Sequence, residues 1–203
     1  MVMFDRKILN ERFIISTTEI AQEAGSAILQ IYNSDFNYKL KKDSSPITEA
    51  DYISNKFITE RLKILTPKIP IISEENSEIP YEIRSRWKKY WLVDPLDGTK
   101  EFIEGVPNFV VSIAVVNHNY PILGVLYNPV TGEVFSAVKD KGAFLNGEQI
   151  FCSKKNDLNQ MIILNSRSET NRGLWRSYSS IFKELKPVGS VAYKLGLTAA
   201  GIG

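Results

Sequence analysis

The sequence contains very little cysteine and histidine. Its 203 residues include one of each, Cys152 and His118. A single cysteine excludes an intrachain disulfide and favours a reducing compartment, so we expect a cytoplasmic protein. Because the only histidine lies in the turn-like segment Asn117–Tyr120, Cys152 has little support as a nucleophile. We therefore expect both residues to be structural.

The sequence also lacks a long apolar run and an excess of one charge. The apolar run Phe109–Val116 is too short to span a bilayer, which needs ~20 residues. The segment Met1–Lys7 shows no signal-peptide apolar region. The 25 basic and 23 acidic side chains give a net charge of +2, which favours neither a nucleic-acid polymer nor membrane insertion. The basic piece Lys39–Lys42 is typical of a solvated strand edge, although it would also attract an anionic substrate.

Hydrophobic spacing predicts the elements of the first half of the chain. Apolar residues at three- and four-residue steps indicate amphipathic helices, and short apolar or alternating runs indicate strands. The predicted elements are helices over residues 6–33 and 48–65 and strands over 36–42 and 69–73.

From Tyr90 onward, runs rich in Val, Ile, Phe and Tyr alternate with turn signals, which predicts an antiparallel meander. After it we predict a strand over residues 161–165, a helix over 171–185 and the start of another helix over 189–197. This order predicts an α+β fold built in layers. We place an N-terminal α+β domain over residues 1–155 and a partial C-terminal α/β domain over 156–203.

Three acidic clusters each lie at the end of a predicted element: Pro46–Asp51, Ser73–Asn76 and Asp94–Thr99. Each has a purely structural interpretation. The first is close to a capping box, with Thr48 at the N-cap and Asp51 three residues later. The second is compatible with a solvated acidic loop. The third is compatible with a β-turn before a short helix.

The third cluster, Asp94-Pro-Leu-Asp97-Gly-Thr99, carries the strongest chemical signal. Pro95 fixes its own φ, and Gly98 can adopt conformations that a side chain would forbid. We expect two carboxylates aimed at one point, with free backbone N–H groups beside them. Carboxylate oxygens suit a hard cation such as Mg²⁺, and N–H groups at a helix start suit a phosphate. A metal next to a phosphate is typical of a phosphatase.

The second and third clusters are more informative together. Glu74 and Asp97 both follow short apolar strands, so parallel or neighbouring strands would bring their carboxylates together. Crowded carboxylates repel each other unless a cation neutralises them. Convergence therefore predicts a bound divalent metal rather than a glycosidase acid pair, which needs two carboxyl groups of different pKa at a set separation.

These residues resemble the inositol monophosphatase superfamily of Mg²⁺-dependent, lithium-sensitive phosphatases, whose metal motif matches Asp94–Thr99. The following Lys100-Glu101-Phe102 is similar to the CysQ-type 3′(2′),5′-bisphosphate nucleotidase branch of sulfur metabolism, whereas inositol monophosphatases usually carry Thr-Asn-Phe. Four further stretches match that branch in order: Lys42–Asp51, Ile72–Glu75, Asn165–Ser168 and Gly189–Lys194. The resemblance implies the layered α/β/α/β/α sugar-phosphatase arrangement.

The resemblance also implies a metal site. Glu74, Asp94, the carbonyl of Leu96 and Asp97 match the family's ligands for Mg²⁺, with two or three ions in intact relatives and one or two here. Glu74 would also take part in catalysis. Glu74, Leu96 and Asp97 would in addition contact the substrate.

By the same resemblance, Thr99 and Asp51 orient and deprotonate the attacking water, and the backbone of Gly98 and Thr99 cradles the phosphate. Ser190 and Lys194 match residues that face the nucleotide's second phosphate or ribose. A helix-start serine and a surface lysine are the competing interpretation. Arg167 is open in the same way between a phosphate contact and a structural ion pair.

The chain departs from the family at its last residues, Leu197–Gly203, because relatives continue to a Trp-Asp-x-Ala-Ala motif that binds a second metal. No acidic residue follows Glu184. We therefore expect a C-terminally truncated member with incomplete last layers, in which a homodimer would cover core residues near 192–202. The implied substrate is adenosine 3′,5′-bisphosphate. The alternatives are an inositol-1-monophosphatase type of sugar phosphatase and a non-catalytic remnant that binds metal and nucleotide.

Overall fold

A computed structural model describes residues 11–41, 46–76 and 79–203. Two long helices, α1 (Glu11–Tyr32) and α2 (Glu49–Leu65), form the first layer. Helix α1 buries one apolar stripe that includes Phe13, Ile20 and Ile28. Between the helices, β1 (Tyr38–Leu40) pairs antiparallel with β2 (Pro46–Thr48). The predicted ends at residues 6 and 42 lie outside the described residues.

A seven-stranded sheet forms the second layer, in the order of its sequence. Its members are β3 (Ile71–Ser73), β4 (Lys89–Asp97), β5 (Val110–Asn117), β6 (Tyr120–Asn128), β7 (Glu133–Val138), β8 (Gly142–Leu145) and β9 (Glu148–Ile150), with a short helix α3 (Tyr81–Arg84) before β4 and α4 (Thr99–Ile103) after it. Strands β4 to β9 run antiparallel, as the predicted meander requires. Helix α1 packs on β5 and β6, and α2 packs on β4. The main hydrophobic core lies between these layers.

The last part of the chain forms a separate, two-stranded sheet. Strand β10 (Ile162–Ser166) pairs in parallel with β11 (Glu184–Val188), and the helices α5 (Arg167–Asn171) and α6 (Val191–Ala199) follow β10 and β11 respectively. Tyr193 and Leu197 of α6 pack with Phe135 of the large sheet in a second core. The α+β class is as predicted.

The predicted helix over residues 171–185 is wrong. Only a 3₁₀ turn, Arg176–Tyr178, forms there, and the chain enters β11 at Glu184. Gly173 has φ +77°, which ends α5, and Leu174 is 54% exposed, so the apolar spacing has no core face to bury.

Within the described ranges, no helix combines the length and the apolarity needed to cross a bilayer.

Candidate active site at the edge of β3 and β4

The parallel pairing of β3 and β4 places two acidic clusters side by side. Ser73 lies opposite Val93 in the register, and the Glu74 N–H donates to the Val93 carbonyl at 3.1 Å. Glu74 therefore leaves β3 beside Asp94 of β4. The structure confirms that β3 and β4 are neighbours, whereas the expected closeness of Glu74 and Asp97 stays a prediction.

Asp94 lies at the centre of this acidic edge. Burial raises its pKa far above the usual range, and the negative charges of Glu74 and Asp97 raise it further. Asp94 Oδ1 accepts one hydrogen bond, from the Leu96 N–H at 3.1 Å, which lowers the pKa in part. The Asp94 carboxyl is thus surrounded by negative charge that the chain neutralises only in part.

The neighbouring carboxylates are partly engaged with protein donors. Glu74 accepts a hydrogen bond from Lys41 Nζ at 2.9 Å, and Asp97 Oδ2 accepts one from Ser190 Oγ at 2.5 Å. In the described part of the chain, no three acidic, His or Cys side chains close around one point as they would around an ion. The acidic groups are adjacent, and the Glu74 side chain is half exposed.

Lys41 is a contact that sequence reasoning missed, because its lysine-rich stretch suggested a solvated edge. Its ammonium bridges Glu74 at 2.9 Å and Glu75 at 2.5 Å, and the Glu75 side chain is only 6% exposed. Burial lowers the pKa of Lys41, but the hydrogen bonds to Glu75 and Glu74 outweigh it and the net shift is upward. The adjacent Glu-Glu pair was the one signal that predicts a basic partner.

Thr99 and Asp51 form the pair expected beside the acidic edge. Thr99 Oγ1 donates to Asp51 Oδ1 at 3.0 Å and lies 3.2 Å from the Leu96 carbonyl oxygen. Asp51 is 1% exposed. Its other oxygen accepts bonds from the Thr48 N–H at 2.7 Å and the Thr48 hydroxyl at 2.6 Å. The capping box is therefore real, and it fixes the carboxylate that Thr99 contacts.

Burial and hydrogen bonding act in opposite directions on the pKa of Asp51. Burial raises its pKa above the usual range, against the hydrogen bonds from Thr48 and Thr99, which lower it. When the Thr99 hydroxyl donates to Asp51 rather than to Leu96, the lone pairs of the Thr99 oxygen are available to accept a proton from a neighbouring water. Hydroxyl and carboxyl together form a short route for a proton.

Gly98 shapes the turn between β4 and α4. Its φ is +104°, and an added Cβ would lie 2.8 Å from the Asn108 carbonyl oxygen. Only glycine fits both constraints. The backbone of Gly98 and Thr99 is therefore held at the start of α4, next to Asp97.

The start of α6 contacts this edge across 93 residues. Ser190 Oγ and the Ala192 N–H both donate to Asp97 Oδ2, at 2.5 and 2.7 Å. Ser190 is also the N-cap of α6, since its Oγ accepts from the Tyr193 N–H at 2.9 Å. Lys194 lies half-buried on the same helix. Ser190 is thus a helix-start serine, which was one of the two interpretations of this residue from the sequence.

Arg167 forms the structural ion pair that was one of its two options. Its guanidinium reaches Glu101 at 3.0 Å and Glu104 at 2.8 Å. Glu101 itself is 7% exposed, so this pair ties α5 to α4 close to the site. Next to it, Lys100 Nζ lies 3.4 Å from Ser168 Oγ.

In this mixed helix-and-sheet fold, an acidic strand edge accompanies the hydrogen-bonded pair of Asp51 and Thr99, which is typical of a hydrolase. Comparison with known proteins gives the family. The chain belongs to the inositol monophosphatase family, whose model matches residues 9–203. Members of this family are metal-dependent enzymes.

Two bacterial relatives are named 3′(2′),5′-bisphosphate nucleotidase CysQ. The Haemophilus influenzae protein is 36% identical over 198 residues, covering 95% of this chain and 74% of that protein. The Aggregatibacter actinomycetemcomitans protein is 42% identical over 137 residues, covering 68% of this chain. The match spans 51% of that second relative, about half its length.

A solved structure shares the fold. The extragenic suppressor protein SuhB of Bartonella henselae superimposes with a TM-score of 0.83 at 28% identity, covering 95% of this chain and 76% of that one. The predicted inositol monophosphatase-like fold is confirmed.

Proposed function

We propose that this protein is a phosphatase that removes the 3′-phosphate of adenosine 3′,5′-bisphosphate and yields AMP and phosphate. The observation that carries the proposal is the parallel β3–β4 pair, which sets Glu74 beside Asp94, while Thr99 in the turn after β4 bonds to Asp51. The names of the two CysQ relatives support the nucleotide as substrate.

The donor set fits a magnesium site. Glu74, Asp94, the Leu96 carbonyl and Asp97 offer only oxygen atoms, which suit a hard cation, and a cation would relieve the repulsion around Asp94. We assign one or two Mg²⁺ ions to these residues. When bound, such ions neutralise the phosphoryl oxygens and make water a better nucleophile.

We assign the movement of the proton to Thr99 and Asp51. The water oxygen attacks phosphorus while its proton passes to Thr99 Oγ1, and the Thr99 proton passes to Asp51 Oδ1 along their existing hydrogen bond. The bond between phosphorus and the 3′-oxygen breaks, and the leaving oxygen takes a proton from solvent. The backbone of Gly98 and Thr99 holds the phosphate. Glu74 contacts the substrate and takes part in catalysis.

For the second phosphate we favour Lys194 over Ser190. The Ser190 proton is already donated to Asp97, and a phosphate needs donors rather than acceptors. Among the described residues, the Lys194 ammonium has no ion-pair partner. Lys194 is therefore the substrate-binding residue that we propose here, whereas the substrate-binding role expected for Ser190 has less support because its hydroxyl is engaged with Asp97.

Phosphate release tests the function. The protein is incubated with adenosine 3′,5′-bisphosphate and, separately, with inositol monophosphate, each with and without Mg²⁺. We expect Mg²⁺-dependent release from the nucleotide that Asp94→Asn abolishes and that Asp140→Asn, an exposed turn variant, leaves unchanged. Equal or faster release from inositol monophosphate would assign the protein to the sugar-phosphatase branch. Nucleotide binding without release would identify a non-catalytic remnant.

We further propose that the site lies where two domains, 1–155 and 156–203, meet, and that the protein works in the cytoplasm, which suits the exposed thiol of Cys152. The homodimer stays a prediction. Val191 and Leu195 of α6 are 66% and 65% exposed and offer the apolar surface that it needs. Light scattering on the purified chain measures its mass directly.

A further inference from the structure

The start of α6 is built around one oxygen atom of Asp97. That atom, Oδ2, accepts both the Ser190 hydroxyl and the Ala192 N–H. Hydrogen bonds to a charged carboxylate are short and strong, and the first turn of a nine-residue helix adds a favourable dipole. The other oxygen, Oδ1, is left to face other partners.

Ser190 holds this position in an unfavourable backbone conformation. Its φ is +52° and its ψ is 125°, which lies outside the left-handed helical basin and is a region that residues with a side chain rarely adopt. Such strain persists only where the surroundings impose it. A serine that served only to cap a helix would not need it, because caps normally have an extended conformation.

The residue before it explains how the conformation is imposed. A Cβ at Gly189 would overlap Cγ and Cδ of the Glu101 side chain. The backbone therefore lies directly on Glu101, which Arg167 holds in place at 3.0 Å. The segment between β11 and α6 is fixed on one side by this ion pair and on the other by Asp97.

We infer that Ser190 is a positioning residue for Asp97: with the Ala192 N–H, it fixes which carboxylate oxygen remains for the cation and thereby sets the metal affinity. The inference rests on the proposed metal site. It gives Ser190 a role in the second layer around the cation instead of a role in binding substrate. Residues that orient a metal ligand in this way typically contribute 10- to 100-fold to metal affinity.

Calorimetric titration with Mg²⁺ in the absence of nucleotide tests the inference. We expect Ser190→Ala to weaken Mg²⁺ binding by about tenfold. Ser166→Ala is the matched control, because Ser166 is the N-cap of α5 and its described bonds do not include Asp97. We expect it to lower Tm slightly and leave the Mg²⁺ affinity unchanged.

Ser190→Gly separates strain from hydroxyl chemistry and serves if the alanine variant folds poorly. Glycine adopts positive φ freely, so we expect its Tm to exceed that of Ser190→Ala while its Mg²⁺ affinity is reduced to a similar degree. Unchanged Mg²⁺ affinity in both variants overturns the inference and leaves Ser190 as a cap. An effect that appears only on nucleotide binding also overturns it and favours a substrate contact.

Failure of the proposed function gives a different result. If the unmodified protein binds no Mg²⁺, the proposed metal site is wrong and the inference fails with it. If the unmodified protein binds Mg²⁺ and Asp94→Asn does not, the metal site stands, and the Ser190 variants then judge the inference alone.

Discussion

Two acidic clusters lie next to each other in this protein and differ in how their charge is compensated. Around Asp94, the carboxylates of Glu74, Glu75 and Asp97 have Lys41 as their charged partner among the described ion pairs. The Arg167 guanidinium pairs with Glu101 through one terminal nitrogen and with Glu104 through the other. The Lys100 ammonium also lies 3.9 Å from the Glu104 carboxylate.

The difference separates a functional cluster from a structural one. A closed ion pair holds elements together and needs nothing more, whereas an under-compensated cluster is costly unless a cation joins it. In the sequence, Glu101 and Glu104 have the same three-residue spacing as Asp94 and Asp97. Only the partners distinguish them.

The largest expected effect on turnover with the charges left in place comes from removing the Thr99 hydroxyl beside the Asp94 cluster. Thr99→Ala deletes the hydroxyl that takes the proton from water, so we expect kcat to fall by about 10²- to 10³-fold with little change in KM. Steady-state kinetics with the bisphosphate nucleotide measures both. The matched control is Thr131→Ala, because the Thr131 hydroxyl also donates to a carboxylate, that of Glu133. Equal loss in the two variants would remove the proposed role of Thr99.

The next effect concerns stability at the Arg167 cluster. Arg167→Met leaves Glu101 nearly buried without its partner, so we expect the free energy of unfolding to fall by about 2 to 3 kcal/mol. Urea unfolding measures it, and Glu101→Gln in the same chain should restore part of the loss. Since Glu101 supports Gly189, a modest loss of Mg²⁺ affinity is expected as well. A stability unchanged from the parent would show that the pair is not the structural one.

The stability of the metal-free protein should depend on pH because of Asp94, and the isosteric variant Asp94→Asn tests this. Burial first, and then neighbouring charge, raises the pKa of Asp94 in the folded protein, while in the unfolded chain it stays near its usual value of about 4. The folded state therefore retains a proton that the unfolded state releases. Stability is lost as the pH rises from about 4, the unfolded pKa, to about 8, the folded pKa. We expect metal-free Asp94→Asn to match the parent near pH 4 and to exceed it at pH 8 by on the order of 2 kcal/mol. Thermal unfolding in a chelating buffer checks this, and a constant difference across pH would contradict it.

The smallest effect is expected at Lys41. Its ammonium competes with a cation for Glu74, so Lys41→Met should tighten Mg²⁺ binding roughly threefold. It should also lower the stability of the metal-free protein by about 1 kcal/mol, because Glu75 loses its partner. Lys63→Met, on α2 and exposed, is the control. Weaker Mg²⁺ binding in Lys41→Met would mean that Lys41 supports the cation instead of opposing it.

Local patterns predicted much of the fold. The capping box at Thr48 and the meander after Tyr90 both follow from periodicity and turn residues within short windows, whereas the pairing of β3 with β4 could only be assumed. The helix over 171–185 failed because apolar spacing predicts a helix only where a core face receives it, and Leu174 faces solvent.

The contacts that complete the site are long-range, and periodicity does not encode them. Ser190 reaches Asp97 across 93 positions in the sequence, and Lys41 reaches Glu74 across 33. A lysine or serine on a polar surface and one beside a metal ligand have the same local pattern. The choice of partner depends on how the layers dock.

The parallel β3–β4 pair also has a consequence for the order of assembly. Strands β4 to β9 are joined as antiparallel neighbours, several of them by tight turns such as that between Asn117 and Tyr120, and such hairpins close within microseconds. Strand β3 is instead connected to β4 through α3. The connection loses conformational entropy when it closes, before the contacts between the two strands have formed. Pulse-labelled amide exchange during refolding should therefore show protection arising in β5–β7 first and at Glu74 last, so that the acidic edge matures only after the meander is in place.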